Sequence, residues 1–179
     1  MGAARELLEA GGLPAVTMGA VAERVGVRGP SLYKRFSSRD ALLAAMAEDA
    51  FADQERLFSA AVRGDDPAAD MRRVADAYRT YAHRHPAAYS LLFAATSPEA
   101  RPAVSAGARA AAPVLALTER LVGPERALEA ARLLTAFAHG FVSMELSGAF
   151  RLGGDVEAAY RYGVATLIGA LAEGRTIAS

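Results

Sequence analysis

Apolar residues recur every three or four positions along almost the whole chain, which is the spacing of helices that bury one face. No segment shows the clean alternation of apolar and polar residues that is typical of a strand. The pattern therefore predicts an all-α protein with about nine helices. Glycine and proline separate the predicted helices, at Gly11-Gly12, Gly26, Gly64 to Pro67, Pro86, Pro98, Gly123-Pro124 and Gly153-Gly154.

From residue 17 onward, the N-terminal segment has the pattern of two short helices joined by a tight turn. Thr17 can cap the first of them, and Gly26 follows where a left-handed C-cap is most easily formed. Pro30 is acceptable in the first turn of the next helix. A helix-turn-helix of this kind places its second helix in the major groove of DNA. Its predicted core residues are Val21, Val25, Leu32, Phe36 and Leu42.

Further helices flank this pair. The first helix is predicted to stop at Gly11-Gly12, and Ser37 with Asp40 has the capping-box spacing that would open a fourth helix. With 179 residues the chain is long enough for two small domains. We expect a three-helix helix-turn-helix DNA-binding domain over residues 1–45 and a larger helical bundle over residues 46–179, which senses a ligand and dimerises.

Charge is unevenly distributed, although the formal net charge is zero. From Arg28 to Arg39 there are four basic residues and no acidic one. Leu32 and Phe36 lie four residues apart and point inward, so that small, polar and cationic groups share the outer face: Pro30, Ser31 and Lys34. This face suits DNA; the alternative is a solvated basic surface on a small three-helix core.

Composition excludes several other classes of protein. Cysteine is absent, so there is no disulfide and no thiolate metal site. The longest apolar stretch, Leu133 to Met144, is too short to span a membrane, so we expect a cytoplasmic protein with no membrane partner. His83 and His85 are two residues apart and face different sides of a helix, and no phosphate loop or nucleophile elbow is present. We therefore expect no catalytic site, no metal and no cofactor.

Two segments near the C-terminus have apolar stripes with embedded glycines, which favours self-association through close helix contacts. The first stripe contains Leu133, Phe137, Gly140, Phe141 and Met144. The second contains Val156, Tyr160, Gly163, Leu167 and Leu171. The alternative is that both stripes pack inside one subunit, and we expect part of each to do so.

Aromatic residues in the middle of the chain are candidates for an apolar ligand pocket with a few polar groups. The predicted ligand-contacting residues are Tyr78, Tyr81, Tyr89, Phe93, Phe137 and His139. The alternative for each aromatic residue is an ordinary position in the core. For His139 it is a buried, hydrogen-bonded histidine.

The segment from Thr17 to Leu43, TMGAVAERVGVRGPSLYKRFSSRDALL, resembles the DNA-binding signature of the TetR/AcrR family of bacterial regulators almost position for position. The stretch Phe137-Ala138-His139-Gly140 is similar to the subgroup whose C-terminal domain is named for a Trp-His-Gly motif, although this chain has no tryptophan. The resemblance implies a four-helix dimer interface, with Phe137, Gly140, Phe141, Met144, Tyr160, Gly163, Leu167 and Leu171 as its predicted residues.

The resemblance also implies DNA backbone contacts from Thr17, Tyr33 and Arg39. Gly29 either permits close approach to DNA or weakens the first turn of its helix. The complete set of predicted DNA-contacting residues is Thr17, Arg28, Gly29, Pro30, Ser31, Tyr33, Lys34 and Arg39.

We expect a homodimeric repressor that binds a duplex DNA operator and is released by a small, largely apolar effector molecule. The alternative is a dimeric small-molecule carrier or interaction module of the same fold that does not bind an operator. The near-zero net charge and the short segment before the first helix favour that alternative.

Overall fold

The computed structural model describes residues 1–64, 66–94 and 97–177, and the side chains up to residue 174. The described part is all-helical, as predicted, with nine α-helices and two short 3-10 helices, Pro98–Ala100 and Pro124–Arg126. The α-helices are α1 (Gly2–Ala15), α2 (Met18–Arg24), α3 (Gly29–Arg35), α4 (Arg39–Ala61), α5 (Pro67–Arg84), α6 (Pro86–Phe93), α7 (Val104–Val122), α8 (Ala127–Leu146) and α9 (Val156–Ile177).

The described chain forms two compact units. The first comprises Met1–Asp53 and Arg84–Arg109, and the second comprises Gln54–His83 and the chain from Ala110 onward. The predicted division at residue 45 concerns DNA binding and ligand sensing rather than packing, and it stays a prediction.

The first unit is built around one hydrophobic core that joins α1 to α4 with α6. Leu8, Val16, Leu32 and Met46 are buried in it, together with Leu91 from α6. Because burial of apolar surface is the main favourable term in folding, this shared core fixes the short helices that could not stand alone in water.

The predicted break in the first helix at Gly11-Gly12 is present, because Gly12 is non-helical with a φ of 66°, and a short further helical segment then brings α1 to Ala15. Two expectations for this unit were wrong in detail. The cap of α4 is Ser38 rather than Ser37, since Ser38 Oγ accepts the backbone N–H of Ala41 at 3.1 Å. Val25 is 49% exposed and does not belong to the core, because α2 ends at Arg24 and Val25 lies in its C-cap.

The helix α6 is attached to α1 by a side-chain cap. The carboxylate of Glu9 accepts the backbone N–H groups of Ala87 and Ala88, at 3.2 and 3.1 Å. These amides lie in the first turn of α6, where the helix has no internal acceptors for them and where negative charge is favourable. Ser97 is held in the same unit, because it donates its hydroxyl to Asp40 at 2.7 Å.

The second unit is a bundle whose most buried large side chains include Tyr160, Leu117 and Ile168. Asp70 is buried at the start of α5 and accepts the backbone N–H groups of Arg63 and Gly64, at 2.7 and 2.9 Å. These hydrogen bonds stabilise the charged carboxylate and hold its pKa below the ordinary value. Among the helices of the described residues, none combines the length and apolar character needed to cross a bilayer.

Candidate nucleic-acid interface

The helix-turn-helix is fixed at both ends of its first helix, as the sequence predicts. Thr17 has an extended backbone, and its Oγ1 accepts the N–H of Ala20 at 3.1 Å, which caps α2. Gly26 has a φ of 69° and ends that helix in the left-handed conformation. The N–H of Val27 returns to the carbonyl of Ala22 at 3.0 Å, so the turn into α3 is closed by the backbone itself.

The helix α3 presents a polar and cationic surface. Leu32 is its one buried residue and anchors the helix to the core of the first unit. Tyr33 is 55% exposed, and the rest of the outer surface is also open to solvent, at Arg28, Pro30, Ser31, Lys34 and Arg35. This arrangement places small and cationic groups side by side on a rigid helix of a width that the major groove admits.

Gly29 is not required by packing within the chain. A Cβ built at this position would meet no atom within 4 Å. The possibility that glycine permits close approach to DNA at this point therefore stays open.

Arg39 makes two hydrogen bonds within the protein. Its Nε donates to the carbonyl of Val16 and its Nη2 to the carbonyl of Leu13, both at 2.6 Å. These bonds use two of the five N–H groups of the guanidinium. The phosphate contact that the resemblance implies for this residue stays a prediction.

The six predicted ligand residues are divided between the two units. Tyr89 and Phe93 lie on α6 in the first unit, where their ring centroids are 5.5 Å apart. In the second unit, the hydroxyl of Tyr78 lies 3.4 Å from Nδ1 of His139, and Tyr81 is buried on the same helix as Tyr78.

His139 is half-buried in the second unit. Burial lowers its pKa below the ordinary value, because the charged imidazolium loses hydration there. The second unit also has a groove of about 320 Å³ at the start of α8, lined by Val122, Arg126, Leu133 and Leu171 among others. None of the six predicted ligand residues lines this groove.

Several of the predicted dimer residues make contacts within the chain. Tyr160 is fully buried, and its hydroxyl donates to the carbonyl of Ala75 at 2.9 Å, so its ring is not presented to a second chain. Gly163 faces Phe137, whose ring would lie only 2.3 Å from a Cβ at that position. The ring of Phe137 in turn stacks on Tyr160 and lies 5.8 Å from that of Phe141.

Other residues of the same two helices face solvent. Gly140 and Met144 are exposed on α8, and Leu167 and Leu171 are half-buried on α9. Sequence reasoning missed Tyr162, which is 75% exposed on α9. Its signal was present in the sequence, because Tyr162 does not share the helix face of Tyr160 and Gly163.

A charged network in the second unit was also missed. Arg79 on α5 donates to both carboxylate oxygens of Glu145 on α8, at 2.9 and 2.5 Å, and to Glu157 on α9 at 3.2 Å. The pKa of Arg79 is raised and that of Glu145 is lowered, first by these hydrogen bonds. In the sequence, Arg79, Glu145 and Glu157 cannot be distinguished from ordinary surface charges. The described residues contain no group of three or more His, Cys, Asp or Glu placed to hold a metal ion.

Comparison with known proteins gives matches over both parts of the chain. Residues 1–46 match the family described as bacterial regulatory proteins, tetR family, and residues 71–167 match the tetracyclin repressor-like C-terminal domain. An HTH-type transcriptional regulator of Mycobacterium tuberculosis is 34% identical over 147 residues, which cover 79% of this chain and 66% of the relative.

Solved structures show the same fold. A variant of TetR from Acinetobacter baumannii AYE, in complex with minocycline, is 26% identical with a TM-score of 0.72, covering 97% of this chain and 94% of that one. A protein from Rhodococcus sp. RHA1 has a TM-score of 0.80 at 23% identity, covering 94% and 91% of the two chains, which supports the fold alone. With both family models matched along its length, the chain belongs to the TetR family of DNA-binding transcriptional regulators.

Proposed function

We propose that this protein is a ligand-responsive repressor that binds its operator as a homodimer, with α3 of each copy in the major groove. The observation that carries the proposal is the outer face of α3. It is held on a capped helix-turn-helix, it is free of acidic side chains from residue 28 to residue 39, and it exposes Ser31 and Lys34 together. Exposed cations beside small side chains can contact phosphates and base edges from one rigid helix.

The experiment uses the one lysine of the sequence, Lys34. The full-length protein selects a sequence from a random duplex library at low salt, and the selected duplex is titrated at several salt concentrations. Each phosphate contact contributes about 0.9 to the slope of log K against log salt. Lys34 should also be protected from an amine-reactive reagent when the duplex is bound, and mass spectrometry can report this site without interference from other lysines.

Lys34→Ala should weaken operator binding by about 1–3 kcal/mol if the side chain reads a base, and it should leave the fold intact because the side chain is exposed. The matched control is Arg132→Ala, which removes an exposed cation from α8. If the wild type selects no sequence, or Lys34 stays reactive in the complex, DNA reading by α3 is refuted. The carrier function then takes its place.

For the dimer, we propose a second copy against the solvent-facing side of α8 and α9. Leu133, Gly140 and Met144 lie on that side of α8, and Tyr162 is exposed on α9. Exposed apolar residues on two helices that pack together suit a protein–protein interface. Gly140 supports this placement, because a Cβ there meets nothing within 4 Å and a partner helix could approach closely.

For the effector, we propose a small molecule with substantial apolar surface that binds within residues 67–150. Tyr78 and His139 support this proposal, since they offer hydrogen-bonding groups beside aromatic rings. The structural relative from Acinetobacter baumannii was solved with minocycline, which supports a small-molecule effector by analogy. Membership of the Trp-His-Gly subgroup stays a prediction that rests on His139-Gly140.

A further inference from the structure

We propose that Arg39 is a positioning residue of the helix-turn-helix. Its guanidinium fixes the end of α1, and with it the start of α2, and thereby sets the orientation in which α3 meets DNA. The inference rests on the proposed operator binding. It differs from a phosphate contact, in which the same charge would point at the DNA.

The acceptors for Arg39 exist because of the way in which α1 ends. The helix α1 ends at Ala15 and Val16 is its C-cap, so the carbonyls of Leu13 and Val16 have no N–H four residues further along the same helix. Leu13 O receives only the N–H of Val16 from the backbone around it, at 3.2 Å. Val16 is fully buried, and a buried carbonyl left without a donor is costly.

The planar guanidinium of Arg39 supplies a hydrogen-bond donor to each of these two carbonyls. Its Nε and Nη2 lie on the same edge of the guanidinium, and each is 2.6 Å from its carbonyl oxygen. A lysine has the charge but only a single ammonium nitrogen, and so it cannot hold two acceptors in this fixed geometry.

The position of Arg39 in its own helix also favours this role. It is the first residue of α4, where the partial positive charge of the helix disfavours a cation. The end of α1 carries partial negative charge, and an arginine that donates to terminal carbonyls is favourable there. Arg39 therefore gains electrostatically by turning away from α4 and toward α1.

Few covalent and packing steps connect the two hydrogen bonds of Arg39 to the proposed DNA-contacting surface. Val16 is followed directly by Thr17, whose side chain caps α2. The helix α2 is joined by its closed turn to α3, and Leu32 of α3 lies in the same core as Val16. A shift at Val16 is therefore passed on to the outer face of α3.

The test compares the full-length wild type with Arg39→Lys and Arg39→Gln, and uses Arg72→Lys, an exposed cation on α5 outside the DNA-contacting surface, as the control. Operator affinity and its salt slope are measured with the selected duplex. Amide hydrogen exchange of residues 16–20 is measured without DNA, because these amides report the end of α1 and the cap of α2. We expect both Arg39 variants to bind about tenfold more weakly or worse. Their salt slopes should be unchanged and their amide exchange faster, while the control behaves as the wild type.

Two results would overturn the assignment. A phosphate contact predicts that the lysine variant binds normally and that the glutamine variant loses about 0.9 from the salt slope with unchanged exchange. Amide exchange of residues 16–20 at the wild-type rate in both variants would likewise show that Arg39 does not fix the end of α1. If the wild type binds no duplex, the proposed function fails by itself, and the exchange data still decide whether Arg39 holds α1. Circular dichroism checks folding, and the lysine variant decides alone if the glutamine variant is unfolded.

Discussion

Adding one methyl group to α9 should destabilise the protein, and the structure says where the strain arises. A Cβ at position 163 would lie 2.3 Å from Cζ and 2.9 Å from Cε2 of Phe137 on α8. The ring stacks on Tyr160 with centroids 6.1 Å apart, and Tyr160 is itself fully buried, so a shift of the ring would disturb a buried neighbour. Gly163→Ala therefore overpacks the contact between α8 and α9.

The size of the effect follows from two opposing contributions. Overpacking a well-filled contact costs about 1–3 kcal/mol. Replacing a helical glycine by alanine returns about 0.5–1 kcal/mol. The net loss for Gly163→Ala is about 0–2.5 kcal/mol, and its middle value of about 1 kcal/mol lowers Tm by about 2–4 °C for a chain of this size. Gly107→Ala is the matched control on α7, and it should be more stable than the wild type by about 0.5–1 kcal/mol, since the nearest atom to its Cβ, Cζ of Phe51, lies at an ordinary contact distance of 3.8 Å.

Thermal and urea denaturation of the two variants measure this difference at a fixed protein concentration. Phe137→Leu in the Gly163→Ala background should recover part of the loss, with a coupling energy of at least about 0.5 kcal/mol. Equal stability of the two alanine variants would refute the contact between Phe137 and Gly163. Gly163 would then fit the dimer contact that its apolar stripe predicts.

Gly140→Arg should convert the dimer to a monomer in sedimentation at micromolar concentration without loss of fold, and a dimeric variant would place the interface elsewhere. Tyr78→Phe should weaken effector binding by about 0.5–1.5 kcal/mol. Calorimetry with and without operator measures this, and equal affinity in both titrations would show that the site does not regulate. Asp70→Asn should lower stability at neutral pH: a lowered pKa contributes stability above the ordinary value of 3.8 that is lost as pH falls below it. Denaturation between pH 7 and pH 3 should therefore show a weaker acid dependence in Asp70→Asn than in the exposed control Asp155→Asn.

The parts of the fold that were predictable from sequence are those set by local chemistry. Thr17 and Gly26 were assigned correctly because a side-chain cap and a positive φ depend on neighbours within a few residues. The outer face of α3 followed from the helical period and the inward position of Leu32. Helix ends were less certain by a residue, as the cap at Ser38 shows, because adjacent serines offer the same hydroxyl.

Periodicity found the stripes of α8 and α9 but not the side on which each contact lies. Tyr160 and Gly163 share a face of α9, and that face turns toward Phe137 of the same chain. The side chain of Tyr162 is exposed, where it can contact solvent or a partner chain. A stripe in the sequence is compatible with both arrangements, because the same residues can bury their surface within one subunit or between two.

Hydrogen bonds between residues that are far apart in the sequence could not be predicted from the sequence. Arg39 reaches a carbonyl 23 residues away, and Arg79 reaches Glu145 across 66 residues. Neither spacing leaves a local signal, and each arginine alone is equally consistent with a solvated charge or a phosphate contact. This ambiguity in the role of an arginine affects the assignment of DNA-contacting residues more than the assignment of core residues. We expect an arginine that donates to backbone carbonyls to shape the interface and a neighbouring exposed cation to contact the DNA, and their surroundings in the fold distinguish the two.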